Sequence, residues 1–286
     1  MRKVLVSIAL CVLLCCSCTR GSGGKYGKYM VSIEPQRWLL EQLVDSGVQV
    51  DVLLSRGSDP ETVELTMTQR VAADDAEAYF ATGLLPFEER VRESVRGLYY
   101  DTSDSVALIY GTHDHAAGSD DGHAHSHAEA PDPHVWTSPR RMAAVAHSMA
   151  RGLEDTGSGS IVAARLARLE ARLDSMDAAV AQAVAASGVT SFAVWHPFLS
   201  YYAADYGLRQ IVVGQEGKEM SARQIKDAVD VARADSVKVL FVERSNDPRQ
   251  ASIIAEGIGA RLVVVDPLAY DFEQQMTLIT NELTRP

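Results

Sequence analysis

Cysteine is missing from most of the chain, because all four cysteines of the 286-residue sequence lie within its first 18 residues. The part after Cys18 therefore offers no thiolate to a zinc ion and no pair of thiols for a disulfide. Any metal ligand there must be His, Asp or Glu. Positive charge is also in deficit, with a formal net charge of −11. Nucleic-acid binding requires Lys and Arg on phosphates, so no nucleic-acid partner is expected.

A long hydrophobic run is absent as well. The apolar stretch VLVSIALCVLL (4–14) is far shorter than the roughly 20 residues that a membrane-spanning helix needs. It follows Arg2 and Lys3, and a basic start before a short apolar segment predicts a secretory signal peptide over residues 1–17. We therefore expect an exported protein.

The end of this segment, CCSC, resembles a bacterial lipobox with Ser17 before Cys18. This predicts that Cys18 is lipidated, that residues 18–28 form a flexible tether, and that the protein is anchored to a membrane facing the periplasm or the cell exterior. Cys15 replaces the usual Leu, which keeps Cys16 open as the anchor. The other alternative is that these cysteines are ordinary apolar residues of a signal peptide that is cleaved without lipidation.

Strand and helix patterns alternate from residue 29 onward, which predicts an α/β fold with parallel sheets. The strand-like segments of the first half are YMVSI, VQVDVLL, AYFATG and VALIY, and the last of them runs into a histidine-rich loop. The second half repeats the alternation with SFAVW, RQIVVG, VKVLFVE and ARLVVVDPL. Between the halves, apolar residues at steps of three and four predict one long helix with a single apolar stripe (Val162, Leu166, Leu169, Leu173, Met176, Val180 and Val184).

The predicted organisation is two similar parallel-sheet lobes joined by one long rigid helix. The N-terminal α/β lobe covers residues 29–157 and includes a His-rich loop at 111–130. The linking helix covers 158–187, and the C-terminal α/β lobe covers 188–286. Ser138 is expected to cap the helix that follows the loop, and His147 inside that helix is expected to be structural.

In parallel α/β sheets, ligands bind beyond the carboxyl ends of the strands. Four acidic or imidazole side chains follow predicted strands or end the histidine loop: Glu61, His134, His196 and Asp266. Two come from each half, which predicts a metal site in the cleft between the lobes. Two imidazoles and two carboxylates suit a divalent ion such as zinc or manganese.

Spacing alone leaves other interpretations of three of these residues open. His196 is equally compatible with a strand-end histidine that bonds to the backbone. Asp266 is equally compatible with a helix cap. Glu61 by itself is more typical of a solvated loop carboxylate.

Nearly the whole chain after the signal segment resembles the ZnuA-like and TroA-like proteins that carry zinc or manganese to ABC importers. The matching segments, in family order, are SRGSDPETVELT, DPHVWTSP, WHPFLSYYAADYGLRQI, EGKEMSARQIKDAV and VLFVERSNDPRQASIIAEGIGARLVVVDPLA. DPHVWTSP is the most specific of them, and Met220 stands where the family usually has Pro. The resemblance implies a ligand set of Glu61, His134, His196 and Asp266.

The first of these positions departs from the family pattern, because His is common there and this chain has Glu61. Glutamate adds negative charge and removes an imidazole. This change narrows the preference of the site for zinc over manganese. Glu64 is close enough in sequence to be an alternative donor. Glu216 and Glu243 lie in matching motifs and are expected to support the ligands or the fold.

The loop before His134 carries five further histidines (His113, His115, His123, His125 and His127) among Ala, Asp, Gly and Ser. It has no apolar periodicity and cannot pack a core. Zinc-carrying members of the family often have such a loop at this place. We therefore expect an exposed segment that collects metal weakly and favours zinc over manganese, with a charged spacer that has no metal role as the alternative.

The resemblance implies a monomeric, non-enzymatic metal-binding protein that captures a divalent ion outside the cytoplasm. It would deliver zinc, with manganese or iron as alternatives, to the permease of an ABC importer. A surface metal buffer or adhesin on the same fold is a second hypothesis. An exported zinc hydrolase is a third, although it needs an open coordination position and the HExxH motif is absent. Release of the ion is predicted to follow a small tilt of the C-terminal lobe.

Overall fold

The structure, a computed structural model, describes residues 29–54, 57–111, 130–156, 159–214, 220–245 and 248–286. Several predictions fall outside these residues: the signal peptide, the tether with its anchor at Cys18 or Cys16, the five loop histidines between positions 113 and 127, and Glu216. Among the helices described, none has the length and apolar character needed to cross a membrane.

Each lobe is built around a four-stranded parallel sheet. The first sheet contains β1 (Tyr29–Val31), β2 (Val50–Val52), β3 (Ala78–Ala81) and β4 (Leu98–Asp101), in the order β2-β1-β3-β4. The second contains β5 (Ser191–Val194), β6 (Arg209–Val212), β7 (Val239–Glu243) and β8 (Arg261–Val265), in the order β6-β5-β7-β8. The second order repeats the first, so the predicted pair of similar α/β lobes is confirmed.

Helices alternate with these strands. The N-terminal lobe has α1 (Glu34–Leu43), α2 (Met67–Asp74), α3 (Glu88–Ser94) and α4 (Pro139–Asp155), with a 3₁₀ turn at Val135–Thr137 before α4. The C-terminal lobe has α6 (Ser200–Tyr206), α7 (Ala222–Ala234), α8 (Pro248–Ile258) and α9 (Phe272–Thr284). Local chemistry sets several ends: the Ser221 side chain accepts a hydrogen bond from Gln224 N, and Gly207 ends α6 with a φ of 67°.

The linking helix α5 (Gly159–Ser187) joins the lobes and packs against both. Five residues of its predicted stripe are buried and the other two are partly buried against the same core. α5 contacts α1 and α4 of the first lobe and α6 and α9 of the second. The apolar core is therefore continuous from one lobe to the other through this helix.

The predicted strand VALIY is wrong, and the fourth strand is the preceding segment LYYD of β4. Residues 106–110 pair outside the sheet instead. Ile109 N donates to the Tyr201 hydroxyl of the other lobe (3.2 Å), and Asp132 N donates to Ile109 O (2.8 Å). Val106 is buried and Leu108 and Ile109 pack partly buried against the core, and local pattern does not distinguish such burial from that of a strand.

The predicted cap at Ser138 is half right. Ser138 has extended backbone angles and directly precedes α4, as an N-cap residue does. Its side chain makes no capping bond, however, because Ser138 Oγ donates to Asp205 Oδ2 at 2.6 Å. This hydroxyl connects the two lobes rather than closing the helix end.

Candidate metal centre

Glu61 lies in the loop between β2 and α2, and the loop is shaped by its own side chains. Asp59 Oδ1 accepts a hydrogen bond from Glu61 N (2.9 Å), and Asp59 Oδ2 accepts one from Thr62 Oγ1 (2.8 Å). Such aspartate turns fix the backbone two residues onward. The Glu61 side chain is 29% exposed, so it is neither buried nor fully solvated.

His134 is held by the carboxylate two residues before it. Asp132 Oδ1 accepts a hydrogen bond from His134 N (2.9 Å) and lies 2.9 Å from His134 Nδ1. Both residues are buried. A carboxylate on Nδ1 fixes the orientation of the ring and leaves Nε2 for an ion, which is the usual arrangement around a ligating histidine.

His196 comes from the other lobe, two residues after the end of β5. Its carbonyl accepts a hydrogen bond from Phe198 N (2.8 Å), which makes a tight turn before α6. The rings of His134 and His196 meet nearly edge to face, with centroids 5.2 Å apart. The two histidines therefore meet across the boundary between the lobes.

The donor atoms of these three residues converge. Glu61 Oε1 lies 3.3 Å from His134 Nε2 and 3.0 Å from His196 Nε2, and all three donors lie within 4.8 Å of one another. Two donors bound at about 2.0–2.1 Å in a tetrahedral zinc site lie about 3.3 Å apart. An ion can therefore replace the present contacts with little movement. Within the described part of the chain, this is the one such group of His, Asp and Glu.

Asp266 lines the same cavity but is not part of the three-donor group. Its Oδ2 lies 3.4 Å from Arg244 Nε. The helix-cap interpretation of Asp266 does not apply, because Asp271 caps α9 by accepting a hydrogen bond from Gln274 N (3.0 Å). Glu64, the alternative donor, is exposed and does not line the cavity.

The cavity has a volume of about 560 Å³ and lies between the ends of strands from both lobes. Its lining residues are Gly57, Ser58, Asp59, Pro60, Glu61, His134, His196, Glu243, Arg244, Ser245, Asp266, Pro267 and Leu268. Arg244 was not among the predicted site residues, because arginine is not a metal-ligating residue type. The sequence feature that could have indicated Arg244 is its position directly after the strand VLFVE.

The charges of the group are coupled. Burial alone would raise the pKa of Glu61, but the hydrogen bond with His196 and the positive charges of both histidines outweigh it and lower that pKa. Burial alone would lower the pKa of His134, but Asp132, through its charge and hydrogen bond, together with the charge of Glu61, raises it. An arriving cation must therefore compete with a proton for Nε2 of His134.

Glu243, at the end of β7, lines the same cavity as the three donors. Burial raises the pKa of its carboxyl; the histidine charges oppose this, and the charges of Glu61 and Asp59 add to it. A carboxyl group with a raised pKa takes up a proton more readily than Glu61 does. Its supporting role stays a prediction.

Comparisons with known proteins identify the family of the chain. The family model "ZnuA: Zinc-uptake complex component A periplasmic" matches residues 30–283. The zinc-binding protein AdcA of Streptococcus pyogenes serotype M3 (strain MGAS315) is 24% identical over 276 residues, which cover 87% of this chain and 52% of that protein. The chain thus spans about half the length of this relative.

Two further relatives match over most of their length. The high-affinity zinc uptake system protein ZnuA of Bacillus subtilis (strain 168) is 24% identical over 281 residues, covering 92% of this chain and 88% of that protein. A crystal structure of a ZnuA deletion mutant with zinc bound has a TM-score of 0.77 and 28% identity, covering 90% of this chain and 96% of the other. The family model covers nearly all of the described residues, and the chain belongs to the ZnuA family of zinc-uptake complex components.

Proposed function

We propose that this protein is the extracytoplasmic metal-binding component of an ABC importer, which captures zinc and delivers it to a membrane permease. The observation that carries the proposal is the convergence of Glu61, His134 and His196 from both lobes on one point of the cleft. Manganese and iron remain the alternative cargo, because Glu61 contributes oxygen where a third imidazole would favour zinc. The relatives' names describe zinc binding and zinc uptake and no catalysis.

The proposed ligands are Glu61, His134, His196 and, as the fourth, Asp266. Its place in the lining of the same cavity supports Asp266 as the fourth ligand. Four protein ligands leave no coordination position for a catalytic water, which argues for carriage of the ion and against hydrolysis.

The proposed role of the loop histidines (His113, His115, His123, His125 and His127) is accessory collection of zinc. The described residues at the base of the loop support this placement. Tyr110 and Pro131 form an antiparallel bridge, so the two ends of the loop meet three residues before His134. The loop thus leaves and rejoins the fold beside the site.

We also propose a lipid on Cys18 and a monomeric state, with the permease and the membrane as the partners. The lipobox-like CCSC supports the anchor. Mass spectrometry of the membrane fraction tests it: a diacylglyceryl group on Cys18 is expected, and a lipid on Cys16 would move the anchor.

The experiment that tests the site uses the chain from residue 18 with Cys18→Ser and with residues 116–128 deleted. Zinc and manganese are titrated under chelator competition and the bound ions are counted. One tightly bound zinc is expected. Loss of tight binding would instead assign the site to the deleted part of the loop, which contains His123, His125 and His127. Tighter binding of manganese than of zinc would keep the fold and change the cargo.

Transport and buffering are separated in cells. Deletion of the gene is expected to impair growth when zinc is scarce, and the full chain is expected to restore it. Normal growth in scarce zinc, with a tight site in vitro, would favour a surface buffer. Turnover of ester, peptide or phosphate substrates by the zinc-bound protein would favour the hydrolase.

A further inference from the structure

Asp266 and Arg244 are placed together by the register of the second sheet. Glu243 of β7 pairs with Val265 of β8, and Arg244 N continues the ladder by donating to Val265 O at 2.8 Å. The next residue on each strand is thus Arg244 on one side and Asp266 on the other. Their side chains approach to 3.4 Å, from Arg244 Nε to Asp266 Oδ2, on the wall of the metal cavity.

A guanidinium group is an unexpected neighbour for a cation site. Arg244 cannot give up its charge, so it always disfavours a divalent ion nearby. Its side chain is 72% exposed and that of Asp266 is 35% exposed. Exposed pairs of this kind contribute little to stability, so either partner can leave the other without a large cost.

The three-donor group leaves one position of a tetrahedral zinc shell to be filled. Glu61, His134 and His196 already converge. Among the residues that line the cavity, Asp266 offers a carboxylate that faces the guanidinium of Arg244.

We propose that Arg244 is a positioning residue that holds Asp266 in the ion-free protein and exchanges it with the arriving ion. The carboxylate of Asp266 leaves the guanidinium and completes the shell, and on release of the ion it returns to Arg244. Arg244 therefore lowers the affinity and speeds release. This inference rests on the proposed function, because it presumes that the three-donor group binds the cargo.

The test is a double-mutant cycle on the full chain from residue 18 with Cys18→Ser. Zinc dissociation constants are measured by chelator competition, and dissociation rates by stopped flow, for wild type, Arg244→Gln, Asp266→Asn and the double variant. Arg233→Gln is the matched control, since Arg233 is exposed on α7 and does not line the cavity. Thermal melts of the metal-free proteins check that each variant is folded.

Arg244→Gln is expected to tighten zinc binding about two- to fivefold, the range that an exposed ion pair can withhold. The gain should appear mainly as slower dissociation, and it should be much smaller in the Asp266→Asn background. Arg233→Gln should change neither quantity. An unchanged or weaker affinity in Arg244→Gln would overturn the exchange, and so would an equal gain with and without Asp266. A wild-type protein without tight zinc binding would instead refute the proposed function itself.

Discussion

The two proposed histidine ligands are buried, one in each lobe, whereas the two proposed carboxylate ligands are partly exposed on loops. His134 and His196 are 3% and 9% exposed. The side chains of Glu61 and Asp266 are 29% and 35% exposed, in loops after β2 and β8. We infer that the histidines form a fixed half of the site and the carboxylates an adjustable half.

The fixed half is supported by an interlobe clamp, which we define as Ser138, Arg141, Tyr201 and Asp205. Tyr201 of α6 donates to Asp132 O at 2.7 Å, two residues before His134. Asp205 of α6 accepts hydrogen bonds from Ser138 Oγ (2.6 Å) and Arg141 Nε (2.9 Å) of the N-terminal lobe. These bonds join the start of α4, which follows His134, to α6, which follows His196.

The sharpest way to break the fixed half is to remove an imidazole. His134→Ala and His196→Ala are each expected to weaken zinc binding at least about 100-fold, since even outer-shell partners of ligands are worth 10–100-fold. His147→Ala is the control, because His147 is exposed on α4 and pairs with Glu170 of α5. Chelator competition measures all three. An effect of His147→Ala as large as the others would contradict the assignment.

Within the adjustable half, Glu61 should matter less than either histidine but far more than its neighbour. Glu61→Gln keeps the size of the side chain and removes the negative charge that a cation needs. We expect a loss of about 10- to 100-fold for zinc. Glu64→Gln is the matched control, since Glu64 is exposed and outside the cavity. If Glu64→Gln weakens zinc binding and Glu61→Gln does not, Glu64 is the donor and the loop rearranges on binding.

Asp132 is predicted to act through His134 without touching the ion. Asp132→Asn removes the charge that orients the ring, and a loss of about tenfold in zinc affinity is expected. Asp174→Asn, on the exposed side of α5, should have no effect. Equilibrium competition at one fixed pH measures both. An unchanged affinity in Asp132→Asn would mean that packing alone orients His134.

Sequence reasoning found the residues whose signal is local. Glu61 and His196 follow strands, and His134 lies in the specific segment DPHVWTSP. It missed contacts that depend on distant pairing. Ser138 and Asp205 are 67 residues apart, and nothing in either segment predicts their bond. The same limit explains the misplaced strand VALIY, in which Ile109 N donates to the hydroxyl of Tyr201, 92 residues further along the chain, instead of to a sheet.

Asp266 was only partly predictable from the sequence. Its place after β8 follows from the sequence, and it does line the cavity. Its present partner does not follow from the sequence, because Arg244 is a cation and lies 22 residues away along the chain. The pairing register of β7 with β8 places Arg244 beside Asp266.

The smallest effect on affinity is expected from the interlobe clamp, and it distinguishes a fixed histidine pair from a tilting lobe. Asp205→Asn keeps an acceptor for Ser138 but removes the charge that Arg141 faces in a nearly buried place, where the Asp205 side chain is 3% exposed. We expect a clear fall in melting temperature, because the charge of Arg141 is left without its partner. Zinc affinity should weaken only about two- to fivefold, since His134 and His196 stay in place but become less well held.

Asp235→Asn is the control for this variant, since Asp235 pairs with Arg209 inside the C-terminal lobe and away from the cavity. It should leave zinc affinity unchanged. If Asp205→Asn lowers stability but leaves zinc binding and release unchanged, the clamp does not set the spacing of the histidines. Faster release with little loss of affinity would show that the clamp normally resists a tilt of the C-terminal lobe. In that case the tilt is the slow step, and His196 moves away from His134 when the ion leaves.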